Sequence, residues 1–587
     1  MLKKLSLPSP AIPFRQALNA CRRHFIQVAI FSALLNLLYL TPSLYMLQIY
    51  DRVVPTRGIT TLLLLTLLFV VAAGTSAALD LMRSRILVHA SSRLDRLLST
   101  TLLDQLTSGA GGPAGAQKSF ILREFDNFRQ TMTGTGMLAL LDLPWAPIYI
   151  LVCFLLHPAL GLMALVGAGI LLAIAITQER VTAHRLKDAN SAFNQAYHNV
   201  EMSMASNGVI RSLGMRKAFV KRHGDERKIG FEMMTNLSLT NSSYVTSIKF
   251  FRQLLQSFAL GLGAWLAIYQ QISPGAIFAA SLLIARALAP IEQVTGAWKS
   301  LVGAKDSYDA LNSFSPPAST RSVTKLPQPE GRIEVRELVV RAPNADRLIL
   351  DHVSFALNRG DVLGVVGPSG AGKSTLVKAI AGAIEVDGGV IRVDGASLKD
   401  WPEDQIARAM GYLPQEASLF RATVKDNISR FDTLLIPSDE LDEEVIRAAT
   451  RCGAHDFILR LPKAYETDLG WGGAGLSVGQ AQRIALARAL YGGPAILILD
   501  EPNANLDADG EERLKAVISD LRQAQVTIII VAHRMGILAE ANKLIVLRDG
   551  RVDMFGESQE VQKRLAARAA QLTAVPTVPP QRAGGAA

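Results

Sequence analysis

VLGVVGPSGAGKST, Val362 to Thr375, decides how the second half of this 587-residue chain is read. A short β-branched run, VLGVV, leads directly into Gly367, Pro368, Ser369, Gly370, Ala371, Gly372, Lys373, Ser374 and Thr375. Glycines let backbone amides turn inward around phosphate oxygens, Lys373 brings a charge to the outer phosphates, and Ser374 offers a hydroxyl to magnesium. A helix opening after the loop points its positive end at the same anion. The preceding strand and the following helix are the context that separates a phosphate loop from a chance match.

Downstream, short β-branched strands alternate with helices, the pattern of an α/β domain. AILILDEP sets a hydrophobic strand before Asp500 and Glu501. Beside a phosphate loop, Asp500 would hold magnesium and Glu501 would polarise the attacking water. Without that loop the pair would read as a solvated strand end. TIIIVAH closes the next strand on His533, within reach of a γ-phosphate, and GYLPQ carries Gln415 after another strand, where it can serve both metal and water. The catalytic candidates are therefore Glu501, His533 and Gln415, and the metal candidates Ser374, Gln415 and Asp500.

Upstream, SFSPPASTRSVTKLPQPEG, Ser313 to Gly331, is rich in proline and small polar residues and reads as a linker. Before it the chain turns apolar. A spanning helix needs about 20 mostly apolar residues, and six segments meet or approach that: Phe25–Leu47, Ile59–Leu79, Met137–Leu156, Ala159–Ile176, and a weaker pair, Phe250–Tyr269 and Gly275–Val294. Basic residues collect before the first segment, between the second and third, and between the fourth and fifth, which puts both termini and both long connections on the cytoplasmic side. The SLYMLQIYDRVVPTRG stretch, Ser43 to Gly58, then falls outside. The long connections carry apolar residues at helical spacing and should extend the spanning helices into the cytosol. Asp142 and Arg286 lie inside spans, where charge is costly; they either line a path or pair between helices. Pro144, Pro147 and Pro290 should kink their helices.

The net charge of +10 is scattered rather than gathered in a stripe with interleaved aromatics, so nucleic acid is not the expected partner. Cys21, Cys153 and Cys452 lie far apart without metal spacing and read as buried or reduced thiols. The basic N-terminus lacks a cleavable signal pattern.

LSVGQAQRIALARAL, Leu476 to Leu490, resembles the signature motif of ATP-binding cassette proteins. That resemblance covers nearly the whole chain and implies a half-transporter of the exporter type: an all-α transmembrane domain of six helices over 1–312, a linker over 313–330, an α/β P-loop nucleotide-binding domain over 331–565, and a disordered tail over 566–587. It implies ATP and Mg2+ as cofactors and a homodimer in which Ser477, Gly479 and Gln480 of one chain contact ATP bound to the other chain's phosphate loop, with Asp507 also near the nucleotide. Helix tips near Gly111–Gly115 and Asn207–Leu213 would couple closure to the membrane. Val478 and Ala481 depart from the usual signature, NANLD follows Glu501, and Ala342 stands where an aromatic normally stacks on adenine. None of these removes a group the chemistry needs.

SLYMLQIYDRVVPTRG, LDLPWAPIYI and ARALAPIEQVTGAW closely resemble the membrane domain of type I secretion ATPases of the PrtD class. Only about two dozen residues precede the first span, so the peptidase-like domain of related exporters is not expected. The class implies ATP-driven export of a protease, lipase, RTX or surface-layer protein across the bacterial inner membrane, with a membrane-fusion adaptor and a TolC-type outer-membrane channel. The outward DRVVPTRG turn is either an adaptor contact or an ordinary capped turn. An exporter of lipid or small molecules shares every cassette residue, and a scaffold with a vestigial ATPase is the remaining alternative.

Overall fold

The computed structural model describes residues 14–108, 120–204, 206–314, 326–342, 347–436, 439–506, 508–532 and 535–573. They divide into two compact units, one helical and one α/β.

The helical unit is built on very long helices. Ile59–Ser108, Pro158–Met204 and Arg216–Ile268 have 50, 47 and 53 residues. At about 1.5 Å per residue each is roughly two and a half times as long as an apolar bilayer core of about 30 Å is thick, so each runs far beyond its apolar portion, as the connections predict. Pro158–Met204 packs against Arg216–Ile268 in a hairpin, tied inside by Gln178 Nε2 donating to Asn241 Oδ1 at 2.7 Å and Asn199 Nδ2 to Glu226 at 3.2 Å. Its tip is the short helix Asn207–Ser212 followed by Gly214, whose φ of 66° lies where glycine is favoured. The tip expected near Gly111–Gly115 lies outside the described residues.

Among the described residues, five helical stretches are long and apolar enough to cross a membrane: Arg22–Thr56, Ile59–Thr107, Thr135–Leu156, Pro158–Met204 and Pro274–Gly296. The remaining expected span is the end of Arg216–Ile268. Arg252, Gln253 and Gln256 interrupt its apolar run and keep it out of the five. Ile59–Thr107 carries exposed leucines such as Leu63, Leu64, Leu67 and Leu68, the surface a lipid-facing helix needs. Pro144 and Pro147 act as expected: the helix Thr135–Asp142 gives way to a tight turn at Leu143–Trp145 and resumes at Ala146. Pro290 instead sits buried within the unbroken helix Pro274–Gly296, where neighbouring helices hold the backbone together.

The α/β unit holds two sheets. Strands β1 (Ile333–Arg341), β2 (Leu348–Leu357), β4 (Gly388–Val393) and β5 (Ala396–Ser397) form an antiparallel sheet in the order β2-β1-β4-β5. The second sheet runs β10-β9-β3-β8-β7-β6, with β3 (Val362–Val366), β6 (Met410–Leu413), β7 (Ile496–Asp500), β8 (Thr527–Val531) and β9 (Lys543–Arg548) parallel and β10 (Arg551–Glu557) antiparallel at the edge. Every residue of β7 and β8 is buried, as continuous apolar runs in a parallel sheet require. Leu497, Leu499, Ile528 and Ile530 enter the core on one face; Ile496, Ile498, Ile529 and Val531 enter the core on the other. The last helix runs from Ser558 to Thr573. It takes in the first eight residues of the tail expected over 566–587, where the alanine-rich AARAAQ reads as low complexity but is a strong helix former; the rest of that expected tail lies outside the described residues. All three cysteines are free and buried.

Candidate functional site

The C-terminal ends of β3, β6, β7 and β8 point the same way in the parallel sheet, and ligands of open α/β sheets bind outside those ends. β3 delivers the phosphate loop, β7 delivers Asp500 and Glu501, and β6 leads to Gln415. β8 leads to His533, which lies outside the described residues, as does Asp507.

The loop's shape depends on its glycines. Gly367, Gly370 and Gly372 have φ of 153°, 80° and 94°. A Cβ at Gly367 would run into the Leu547 carbonyl, and one at Gly372 would come within 2.9 Å of the Ile349 carbonyl, so both positions exclude side chains by space as well as conformation. Pro368, Ser369 and Ala371 complete the turn, with Ala371 N bonding to the Pro368 carbonyl at 3.2 Å. Gly372 caps the helix Lys373–Ile380, which carries Ser374 and Thr375 in its first turn. Lys373 is buried, and its Nζ donates to the carbonyls of Gly367 and Pro368 at 3.0 Å each, curling into the loop. Burial depresses its ammonium pKa; the negative charges of Glu501 and Asp500 oppose that.

Ser374 Oγ donates to Asp500 Oδ1 at 3.2 Å, so the loop helix and β7 meet as the sequence expects. Asp500 is fully buried, and burial raises its pKa against the Ser374 bond that lowers it. Its Oδ2 has no hydrogen-bond partner among the described residues. A buried carboxylate oxygen left open beside a serine hydroxyl, with the Gln415 amide nearby on the same sheet edge, is a hard oxygen donor set. It fits Mg2+, which takes one or two protein oxygens and completes its shell with phosphates and water.

Glu501 takes a left-handed backbone, φ 52°, fixed by its N–H bonding to the Val531 carbonyl at 3.0 Å. Strain of this kind at a strand end clusters at functional sites. Gln415 Nε2 donates to Glu501 Oε2 at 3.3 Å, joining two residues 86 positions apart.

Ser477 caps the helix Val478–Leu490 in a reciprocal box: its hydroxyl accepts from Gln480 N at 3.2 Å, and its own N–H donates to Gln480 Oε1 at 2.9 Å. Gln480's side chain is thereby occupied, leaving Ser477, Gly479 and the helix N-terminus to meet an anion. Val478 is exposed. Among the described residues no hydrogen bond joins Ser477, Gly479 or Gln480 to the chain's own phosphate loop. Ala342 N bonds to the Arg347 carbonyl at 2.8 Å at the neck of the β1–β2 connection, and neither residue offers an aromatic face.

One positioning residue escaped the sequence reading. Gln482 is buried and donates from Nε2 to the Pro502 carbonyl at 2.7 Å, tying the signature helix to the backbone immediately after Glu501. Its spacing, five residues after Ser477 on the inner face of an apolar helix, is the only sequence signal it gives.

In the helical unit, Asp142 and Arg286 are treated differently. Asp142 accepts from Arg83 Nη1 at 3.0 Å through both oxygens and from Asn36 Nδ2 at 2.9 Å, a buried pair between helices. Arg286 instead lies over the Tyr39 ring, 4.1 Å from its centroid. Asp51, from DRVVPTRG, accepts from Ser273 Oγ at 2.5 Å and Gly275 N at 2.7 Å, so it caps the start of the helix Pro274–Gly296. The stretch itself is helical through Thr56, with a π-turn over Ile49–Val53.

Residues 350–504 match the family model described as ABC transporter, and residues 25–290 match that of the ABC transporter transmembrane region. The chain is 39% identical to the type I secretion system ATP-binding protein PrsD of Rhizobium meliloti (strain 1021), over 93% of each chain. It is 30% identical to the alpha-hemolysin translocation ATP-binding protein HlyB of Escherichia coli O157:H7, over 92% of this chain and 76% of that one. A bacterial Atm1-family ABC exporter solved with ATP bound shares the fold, with a TM-score of 0.79, 20% identity, and coverage of 95% of this chain and 99% of that one.

Proposed function

The chain belongs to the ABC transporter family, and from that membership we propose that a homodimer of it exports an unfolded polypeptide as the ATP-hydrolysing component of a type I secretion system. The observation that carries this reading is the 39% identity to PrsD, which runs through the membrane unit as well as the cassette. Cassettes resemble one another whatever they move, whereas membrane units diverge with their cargo. The reading places the chain in the bacterial inner membrane with both termini cytoplasmic. It gives the chain a membrane-fusion adaptor and a TolC-type channel as partners, and a protease, lipase, RTX or surface-layer protein as cargo.

In this mechanism the loop amides of Gly367–Gly372 and the Lys373 ammonium cradle the β- and γ-phosphates. Ser374, Asp500 and Gln415 would hold Mg2+, which would supply positive charge against the phosphoryl group being transferred. Glu501 accepts the proton of the attacking water, with His533 beside the γ-phosphate. Ser477 and Gly479 of the partner chain close over the same phosphate with a capped helix N-terminus, and Asp507 approaches across the seam. Two ATP are then enclosed between two cassettes, and hydrolysis releases them.

The test compares proteins in the culture medium of cells carrying the wild-type chain or Glu501→Gln. Loss of one or a few proteins, each retained whole in the cell, is the expected result and names the cargo. An unchanged medium under conditions of expression overturns polypeptide export and turns the search to lipids or small molecules.

A further inference from the structure

The helix Pro274–Gly296 is the most enclosed of the apolar helices: 61% of its apolar window is buried, against none for Ile59–Thr107. Its exposed positions, Phe278, Arg286, Gln293 and Gly296, with half-covered Leu282 and Ala289 between them, recur every three or four residues. They make one stripe on a helix otherwise surrounded by protein. The lipid-facing surface of this unit looks different, being a continuous cover of leucine and valine on Ile59–Thr107. A stripe with an arginine halfway along the span, a glutamine two turns further on, and alanine and glycine on the same side is unfit for lipid. It suits a water-filled passage.

Arg286 carries the only fixed charge on that stripe. Its guanidinium lies over the Tyr39 ring in a cation–π contact, 4.1 Å from the centroid, and no carboxylate pairs with it among the described residues. The nearby acids are engaged elsewhere: Asp142 is held by Arg83 and Asn36, and Glu292 by Arg252 at 2.5 Å. A guanidinium held over a ring by its face still has N–H donors to offer, and such donors take a carboxylate in bidentate fashion.

We infer that Arg286, held by Tyr39, is a binding site for carboxylates of an acidic polypeptide segment in transit, on a path formed by the exposed stripe of Pro274–Gly296. This rests on the polypeptide-export reading above.

The test uses the full-length homodimer in lipid nanodiscs, with a photo-crosslinking amino acid at Ala289 and two fluorescent probes, poly-glutamate and poly-lysine. Poly-glutamate should cross-link to the stripe and poly-lysine should not. Arg286→Ala should weaken poly-glutamate capture about tenfold, the factor expected for one charge-assisted contact, and Arg286→Lys should retain most of it. Equal capture of both polymers, or capture indifferent to Arg286→Ala, overturns the site. A cross-link joining two copies of the chain in place of the probe also overturns it, making the stripe a subunit seam. The comparison of the two polymers on the otherwise wild-type chain stands even where an Arg286 variant fails to fold. Because this assay reads binding and the culture-medium comparison reads export, failure of one does not imitate failure of the other.

Discussion

Gln415 Nε2 donates to Glu501 Oε2 across 3.3 Å, linking the residue after β6 to the residue after β7 at one edge of the sheet. The carboxylate is thus held at the open end of the strands by an amide that can let go of it, and its left-handed backbone is fixed from behind by Val531. Glu501→Gln keeps the shape and removes the proton acceptor. ATP turnover should fall by about 100-fold or more, while nucleotide stays bound and the dimer stays closed around it. Steady-state phosphate release, together with retention of labelled nucleotide after gel filtration, checks this. Turnover near the wild-type rate would remove Glu501 from the base role. Gln415→Ala should give a smaller loss, because it orients rather than accepts.

Gln482 should matter through geometry rather than contact with nucleotide. Its amide anchors the Pro502 carbonyl to the signature helix at 2.7 Å, in a buried position. Gln482→Ala releases the Glu501 loop while leaving the phosphate cradle intact. We expect kcat to drop about tenfold, the cost of misplacing a catalytic group, with KM for ATP little changed. A rise in KM with unchanged kcat would assign Gln482 to nucleotide binding.

The buried Arg83–Asp142 pair reads as a clamp between helices rather than a wall of the path. Asp142→Ala alone leaves the buried Arg83 guanidinium with Asp80 and Ser32 as its partners among the described residues, so one ion pair remains and the loss should be about 1–3 kcal/mol. Replacing Arg83 and Asp142 together by leucine removes both buried charges and should recover most of the stability and the export. Export that stays lost in a stable double variant would show that the charges serve cargo. Apparent melting temperature in detergent and secreted cargo are the two readouts.

How far the sequence disclosed this molecule depends on the distance between interacting residues. The phosphate loop, the strand before it and the helix after it are contiguous, so local spacing sufficed, and the long helices followed from unbroken apolar and helical periodicity. Relations between distant segments showed only where motifs carried them, as with Ser374, Gln415 and Asp500. Nothing in DRVVPTRG says that Asp51 caps a helix more than 200 residues later at Ser273 and Gly275; the sequence leaves an adaptor contact and an ordinary capped turn both open. Asp142 and Arg286 looked alike as charges in apolar runs. Only packing shows one enclosed by Arg83 and the other resting on Tyr39. Gln482 was hidden because a polar residue on the inner face of a helix gives no sign of what it reaches. Composition misled over residues 566–573, an alanine-rich stretch that reads as tail and is helical.

The pH dependence of stability should be visible at Asp361, which joins the start of β3 to that of β9. Its carboxylate accepts from Lys543 Nζ at 2.8 Å, Asn542 Nδ2 at 2.9 Å and the Asn358 N–H at 2.7 Å, in a buried position. Burial alone would raise its pKa, but the bonds from Lys543, Asn542 and Asn358 outweigh that and hold it below the ordinary aspartate value. A carboxylate whose pKa is depressed by folding contributes its stability fully above the unfolded value of about 3.9, and loses it as pH falls through the lower, folded value. Asp361→Asn keeps an acceptor but not the charge. At neutral pH it should cost about 1–3 kcal/mol and lower the apparent melting temperature of the detergent-solubilised protein. The gap from wild type should hold constant down to about pH 5 and narrow below about pH 4, as the wild-type carboxyl protonates and forfeits its advantage. Melting curves of both proteins across that range decide it. A gap that does not change with pH would mean that Asp361 acts through hydrogen-bond geometry alone.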